Sequence, residues 1–185
     1  MAPDYLFRPM TVSDLPLIRH WLSLSHVREW WGDPQEQYTL VSGDLDEPAM
    51  DQYIFSTAGS PFAYLQCYDL TAWNSGFGPH PSGTRGIDLF IGEPDMIERG
   101  HGSALVRCFV DDRLQEGARR IVTDPDPANG RAVRAYQKAG FEKDRMVETP
   151  DGPALLMIRN PRRSSTTRQP RPVFQSGSGG CSRPA

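Results

Sequence analysis

At 185 residues, 38% hydrophobic and 23% charged, the chain can bury one sizeable core but not two comfortable ones. No apolar run approaches the ~20 residues of a membrane span and the N-terminus lacks a signal-peptide apolar stretch, so no membrane association is expected. The net charge of −3 is uneven: Pro161 onward holds five arginines and no acids, leaving −8 on residues 1–160, a balance that disfavours nucleic acid and suits either a cationic partner or plain solubility.

Tyr5 to Arg8 reads as a first strand, closed by Pro9. Ser13 is the expected N-cap of a helix carrying Pro16 at its third position, where the missing N–H costs nothing. Leu15, Leu17, Ile18, Trp21 and Leu22 form its apolar stripe, which ends near Ser25. His26 to Gly32 reads as a loop or short turn. Trp30 and Trp31 are adjacent and cannot both face one core, so one is expected to be exposed or to line a cleft; the alternative is a pair of core lids. Gln35 to Leu40 is weakly helical, and the acidic stretch to Met50 has no pattern. Gln52–Thr57 and Phe62–Tyr68 read as an antiparallel pair about Ala58–Pro61. Thr71 to Gly83, with three glycines and two prolines, reads as a loop.

The stretch from Thr84 to Val110 organises the rest. Arg85 to Ile91 reads as a strand stopped by Gly92 and Pro94, and a helical face begins at Ser103. Between them Arg99-Gly100-His101-Gly102-Ser103 lets backbone approach a ligand, and the first free amides of the helix suit a phosphate. The spacing is not that of a nucleotide triphosphate loop, and a plain tight turn is the alternative. The helix should stop at Gly117. Arg119–Thr123 is a further strand with Ile121 and Val122 buried, and Asp124 to Asn129 a polar, proline-locked crossing. Asn129 is the expected N-cap of a helix through Lys138, with Gly140 beyond its end. Phe141–Glu148 and Ala154–Arg159 complete the strands, joined by a turn at Thr149–Pro153. The order is mixed α/β, placed in residues 1–160. Residues 161–185, rich in Arg, Pro, Ser and Gly and including the linker-like SGSGG, are expected to be a disordered basic tail. Cys67, Cys108 and Cys181 are scattered and odd in number, so a reducing, cytoplasmic setting without a disulfide framework is expected. The histidines His20, His26, His80 and His101 show no ligand spacing, so no metal is expected.

This element order, with a glycine turn after the fourth strand and an Asn-capped helix ending in KAGF, resembles the GNAT acetyltransferases from about Tyr5 to Arg159. Closer still, His26–Gly32 (HVREWWG), Gln35–Tyr38 (QEQY), Gly86-Ile87-Asp88, Thr123–Asn129 (TDPDPAN), Arg131–Phe141 (RAVRAYQKAGF) and Thr149–Ala154 (TPDGPA) resemble the aminoglycoside 6'-N-acetyltransferases. The resemblance implies a mostly antiparallel sheet splayed between strands 4 and 5 and flanked by helices. It also implies acetyl-CoA as co-substrate, with its diphosphate over Glu98, Arg99, Gly100, His101, Gly102 and Ser103. Its pantetheine would be wedged between the strands of Ile87–Ile91 and Ile121–Thr123, with Leu89, Phe90 and Ile91 among the cofactor contacts and Asn129 reaching the cofactor arm. One departure stands at the diphosphate loop, where Ile97 occupies a position that is Gln or Arg in the family pattern.

The same resemblance makes Asp88 the group that deprotonates the attacking amine and Tyr136 the group that protonates the leaving thiolate, with an amide near Leu89 or Phe90 polarising the thioester. It places Trp30, Trp31, Tyr38, Gln66, Asp88, Asp124 and Asp151 around a small cationic amine. Carboxylates and aromatic faces suit an aminosugar, although Asp124 and Asp151 also read as turn residues and Tyr38 as core. A second departure is the loop Ala72–Gly83, which is strongly acidic in the related enzymes and has no acid here. The implied activity is acetyl transfer to an aminoglycoside amine, an antibiotic-resistance chemistry, by a monomer or homodimer. Another amine (a siderophore hydroxylamine, a polyamine or a peptide N-terminus) and a non-enzymatic acyl-CoA-binding module are the alternatives.

Overall fold

The computed structural model describes residues 5–73 and 76–162; the predicted basic tail beyond 162 and the loop residues Asn74 and Ser75 lie outside them. Seven strands form one sheet in the order β1-β2-β3-β4-β5-β7-β6. They are β1 (Tyr5–Pro9), β2 (Met50–Thr57), β3 (Ser60–Asp69), β4 (Thr84–Ile91), β5 (Arg120–Thr123), β6 (Glu142–Thr149) and β7 (Gly152–Arg159). Every neighbouring pair is antiparallel except β4 and β5. The helices are α1 (Leu15–Ser23), α2 (Ser25–Trp31), α3 (Pro34–Gly43), α4 (His101–Gln115) and α5 (Gly130–Lys138).

Adjacent residues of the central strands serve opposite faces, as the two-residue period of a strand requires. Phe55, Leu65, Cys67 and Ile87 pack against Leu105, Val106, Phe109 and Val110 of α4 and Val133 and Tyr136 of α5. Ile54, Tyr64 and Phe90 face the other way, onto Ile18, Trp21 and Leu22 of α1, Val27 of α2 and Val41 of α3. A third cluster joins Tyr68, Val122 and Leu156 to Phe77 of the long loop. Because both faces are covered, Phe62 to Leu65 is an unbroken buried run.

Two local readings of the sequence are corrected. The first helix does not start from a Ser13 cap. Thr11 and Asp14 form a reciprocal capping box around a 3-10 turn, Val12–Asp14, and the α-helix proper begins at Leu15 with Pro16 in its first turn. His26 to Trp31 is a helix rather than a loop: the chain restarts from extended Leu24, buries Val27, and ends at Gly32 in the left-handed region, φ 82°.

The β4–β5 pairing decides where a ligand can enter. The two strands pair only at Thr84↔Arg120, Arg85↔Ile121 and Gly86↔Val122. Beyond these, β4 continues to Ile91 while β5 stops at Thr123, before Pro125 and Pro127. At Gly86 the Tyr68 ring packs so closely that an added Cβ would lie 2.2 Å from it. The sheet therefore opens immediately before Asp88.

Candidate active site

A cleft of about 390 Å³ occupies this opening. One wall is the free length of β4, at Leu89, Phe90 and Ile91. Opposite it, Asn129, Arg131, Ala132, Arg134, Ala135 and Lys138 present one face of α5. Its end is built from Ile97, Glu98, Gly100, Gly102 and Ser103, where α4 begins. The helix starts at His101, two residues earlier than the sequence suggested, from a Gly100 cap with φ 85°. Glu98 is also left-handed, at φ 60°. The first amides of α4 have no intrahelical acceptor and carry the positive end of the helix dipole. Three cations on one face of α5 add to that field, so the cleft is built for an anionic group.

The remaining wall comes from α2. His26 and Trp30 stand four residues apart on one side of this helix, and both line the cleft. His26 Nε2 lies 3.0 Å from the Ile91 carbonyl oxygen, which fixes its proton on Nε2 and holds α2 against the end of β4. Trp31 turns onto the sheet, edge-on to Phe90 at 4.9 Å and to Tyr64 at 6.0 Å. Trp30 Nε1 is buried with no hydrogen-bond partner among the described residues, a donor of the kind a ligand carbonyl or phosphate would satisfy.

Beside the cleft, functional side chains arrive from both faces of the sheet. Asp88 and Gln66 are directly opposed across β4 and β3, and Gln66 Nε2 donates to Asp88 Oδ2 at 3.0 Å. Burial, followed by the Asp151 charge, lifts the Asp88 carboxyl to about 6 against the pull of Gln66. Asp124, immediately past β5, is lifted to about 8, first by burial and then by the charges of Asp88 and Asp151. Asp151 lies exposed in the β6–β7 turn. The crossing after β5 is tied to β7 through the Leu155 amide, which donates to the Pro125 carbonyl at 3.0 Å. Tyr136 reaches in from α5 on the opposite face, buried and hydrogen-bonded to the Thr123 side chain. Burial raises its phenol well above the ordinary value, and Asp88 and Asp124 add to the rise.

The structure thus brings Asp88, Gln66, Asp124, Asp151 and Tyr136 into one electrostatically linked group. Leu89, Phe90, Ile91, Glu98, Gly100, Gly102, Ser103, Asn129, Trp30 and Trp31 line the adjoining cleft. Three expected residues belong to neither the linked group nor the cleft lining. Tyr38 lies beneath the Arg19 guanidinium, 3.9 Å from its ring centroid, in the α1–α3 layer. The His101 ring turns to the Tyr5 hydroxyl at 2.8 Å, and Arg99 is exposed outside the cleft lining. Asn129 lines the cleft, but its Oδ1 is occupied by the Ala132 amide at 3.0 Å, capping α5. Ile97, noted in the sequence as a departure from the family pattern, lines the cleft too, and His26, Arg131, Arg134 and Lys138 join it without having been expected there. The spacing of Arg131, Arg134 and Lys138, three and seven residues along one helix, was the available signal.

Comparison with known proteins identifies the family to which this fold belongs. The family description "Acetyltransferase (GNAT) domain" matches residues 11–149, and the chain belongs to that family. Among its relatives, the aminoglycoside N(6')-acetyltransferase type 1 of Serratia marcescens is 36% identical over 174 residues, 88% of this chain and 86% of the relative. That of Klebsiella pneumoniae is 36% identical over 87% and 85%. Among solved structures, aminoglycoside acetyltransferase AAC(6')-Ib in complex with coenzyme A and kanamycin superposes with a TM-score of 0.74 at 38% identity, covering 85% of this chain and 95% of that one. Its complex with ribostamycin and coenzyme A gives 0.77 at 34% identity, over 91% and 99%.

Proposed function

We infer that the protein is an acetyl-CoA-dependent N-acetyltransferase acting on the 6'-amine of aminoglycosides in a ternary complex. The observation that carries this reading is the opening between β4 and β5. It joins a cleft ending in helix amides to a group of three carboxylates and a buried phenol. The carboxylates of Asp88, Asp124 and Asp151, which feel one another's charge, suit the several ammonium groups that an aminosugar offers. The cleft fits the co-substrate: the Gly102 and Ser103 amides with Arg131, Arg134 and Lys138 suit its phosphates, and Trp30 Nε1 offers an unpaired donor.

When bound, acetyl-CoA supplies an acetyl group activated as a thioester. Asp88 holds the substrate ammonium and takes its proton at the carboxylate, leaving a nucleophilic amine. With its carboxyl lifted to about 6, Asp88 is still ionised at neutral pH yet is a stronger base than an ordinary aspartate. Asp151 and Asp124 face the other ammonium groups and orient the acceptor; Asp124, lifted to about 8 in the free protein, releases its proton when an ammonium settles beside it. The Leu89 or Phe90 amide polarises the reacting carbonyl. Tyr136 keeps its proton throughout the physiological range and delivers it from Oη to the departing sulfur.

A thiol-release assay over kanamycin-type aminoglycosides and simple amines tests the substrate class. Turnover restricted to acceptors with a 6'-amine is the expected result. The loop before β4, acid-free where the related enzymes are acidic, favours the second reading of a different small amine, and indifference to aminoglycosides would establish it. Asp88→Asn is expected to lower transfer by about 10²–10⁴-fold with acetyl-CoA binding retained by calorimetry; undiminished transfer would remove Asp88 as the base.

A further inference from the structure

Tyr64 and Gln66 stand two residues apart on β3 and share one face of the sheet, opposite Phe90 and Asp88 respectively. The Tyr64 hydroxyl donates to Gln66 Oε1 at 3.1 Å, and Gln66 Nε2 donates to Asp88 Oδ2 at 3.0 Å. Both ends of the Gln66 amide are thereby engaged inside the sheet, a different use from the substrate contact that the resemblance implies. The Tyr64 ring is fully buried, stacked on Phe90 at 5.2 Å with Trp31 edge-on above.

Resting on the assignment of Asp88 as base, we propose that Tyr64 is a positioning residue that locks the Gln66 amide in the orientation that donates to, and so favours, the ionised Asp88 carboxylate.

An amide presents two different ends. A carboxylate accepts hydrogen bonds only, whereas a neutral carboxyl can also donate. While Tyr64 donates to Oε1, Gln66 has only N–H to offer Asp88, which suits the carboxylate. With the amide reversed, Oε1 would face Asp88 and suit the neutral acid. Tyr64 remains a donor because burial and the charges of Asp88 and Asp44 hold its hydroxyl protonated. The other titratable groups around Asp88 are Asp124 and Asp151 from two loops, Tyr68 from β3 and Tyr136 from α5. None of them stabilises its negative charge, so Gln66 is the group that opposes burial.

Tyr64→Phe keeps the ring and removes the hydroxyl. The Asp88 carboxyl, followed by carbon NMR in the free protein, is expected to titrate roughly half to one pH unit higher in this variant. The acid limb of kcat/KM should move with it, and the substitution should add nothing in a Gln66→Met background. An unchanged Asp88 midpoint, or an equal shift in the Gln66→Met background, overturns the proposal. A shifted midpoint with an unshifted limb upholds the relay and instead removes Asp88 as the base. Should Gln66→Met fail to fold, the NMR midpoint of Tyr64→Phe alone decides.

Discussion

Asp124 carries the largest consequence of any single group for how the protein answers to pH. Burial and the charges of Asp88 and Asp151 push its carboxyl up to about 8 in the fold against about 3.9 in an unfolded chain. Between those values the native state holds a proton that the unfolded state has released, so stability falls as pH rises across the interval. Below it the penalty is absent, and above it the penalty is complete. Calorimetric melting of the ligand-free protein should therefore drop from pH 5 to pH 8, and Asp124→Asn should flatten that slope; an unchanged slope would mean the carboxylate is solvated. Asp88 adds a smaller contribution of the same sign, ending near pH 6. Function runs in the opposite direction. The ionised carboxylates are the ones that hold ammonium groups, so kcat/KM should climb through about pH 6 as Asp88 ionises and on towards about pH 8 as Asp124 follows, a profile that stopped-flow or steady-state assays can read.

At the level of elements, capping and close packing were legible to different degrees. Asn129 was read as the cap of α5 and is one: Asn129→Ala should cost about 1 kcal/mol in urea unfolding, and Asn129→Asp less. The Arg85–Ile91 strand, the Arg119–Thr123 strand and the α5 boundary at Lys138 followed from period and from glycine and proline punctuation, and they lie within a residue of the observed elements. The α2 helix was invisible because seven residues are too few for propensity to decide; Val27 packed on α1 and Trp31 packed on Tyr64 and Phe90 make it helical. Thr11 and Asp14 were passed over for Ser13 because a capping box depends on which of several polar residues reaches back, a tertiary choice strengthened by the Arg8–Asp14 ion pair. In the site, Asp88 and Tyr136 came from resemblance, while their shifted protonation came from burial that no residue pattern records. Gly92 was read only as a strand stop. Its Cα lies against the Trp21 ring, where an added Cβ would sit 2.1 Å away, and Gly92→Ala should destabilise the fold by about 1–3 kcal/mol or more and loosen the α1–β4 contact.

For the whole molecule, the charge distribution and the split sheet act together. Residues 1–160 carry −8, and affinity for a polycationic acceptor should weaken as salt rises from low to physiological ionic strength, measurable by titration calorimetry. No helix among the described residues is long and apolar enough to cross a membrane. The seven strands form one sheet, yet its two halves are joined by only three paired positions, Thr84 to Gly86 against Arg120 to Val122. Such a seam pairs fewer residues than the β2–β3 and β3–β4 ladders that precede it in the sheet. A guest lying along it and touching both β4 and α5 would clasp the two halves together. Heat resistance should then rise by about 2.7 kcal/mol at a hundredfold excess over the dissociation constant. The protein without its guest should accordingly come apart along this line first, and hydrogen exchange at the amides that bridge Thr84–Gly86 and Arg120–Val122 should register the parting before the outer strands give way.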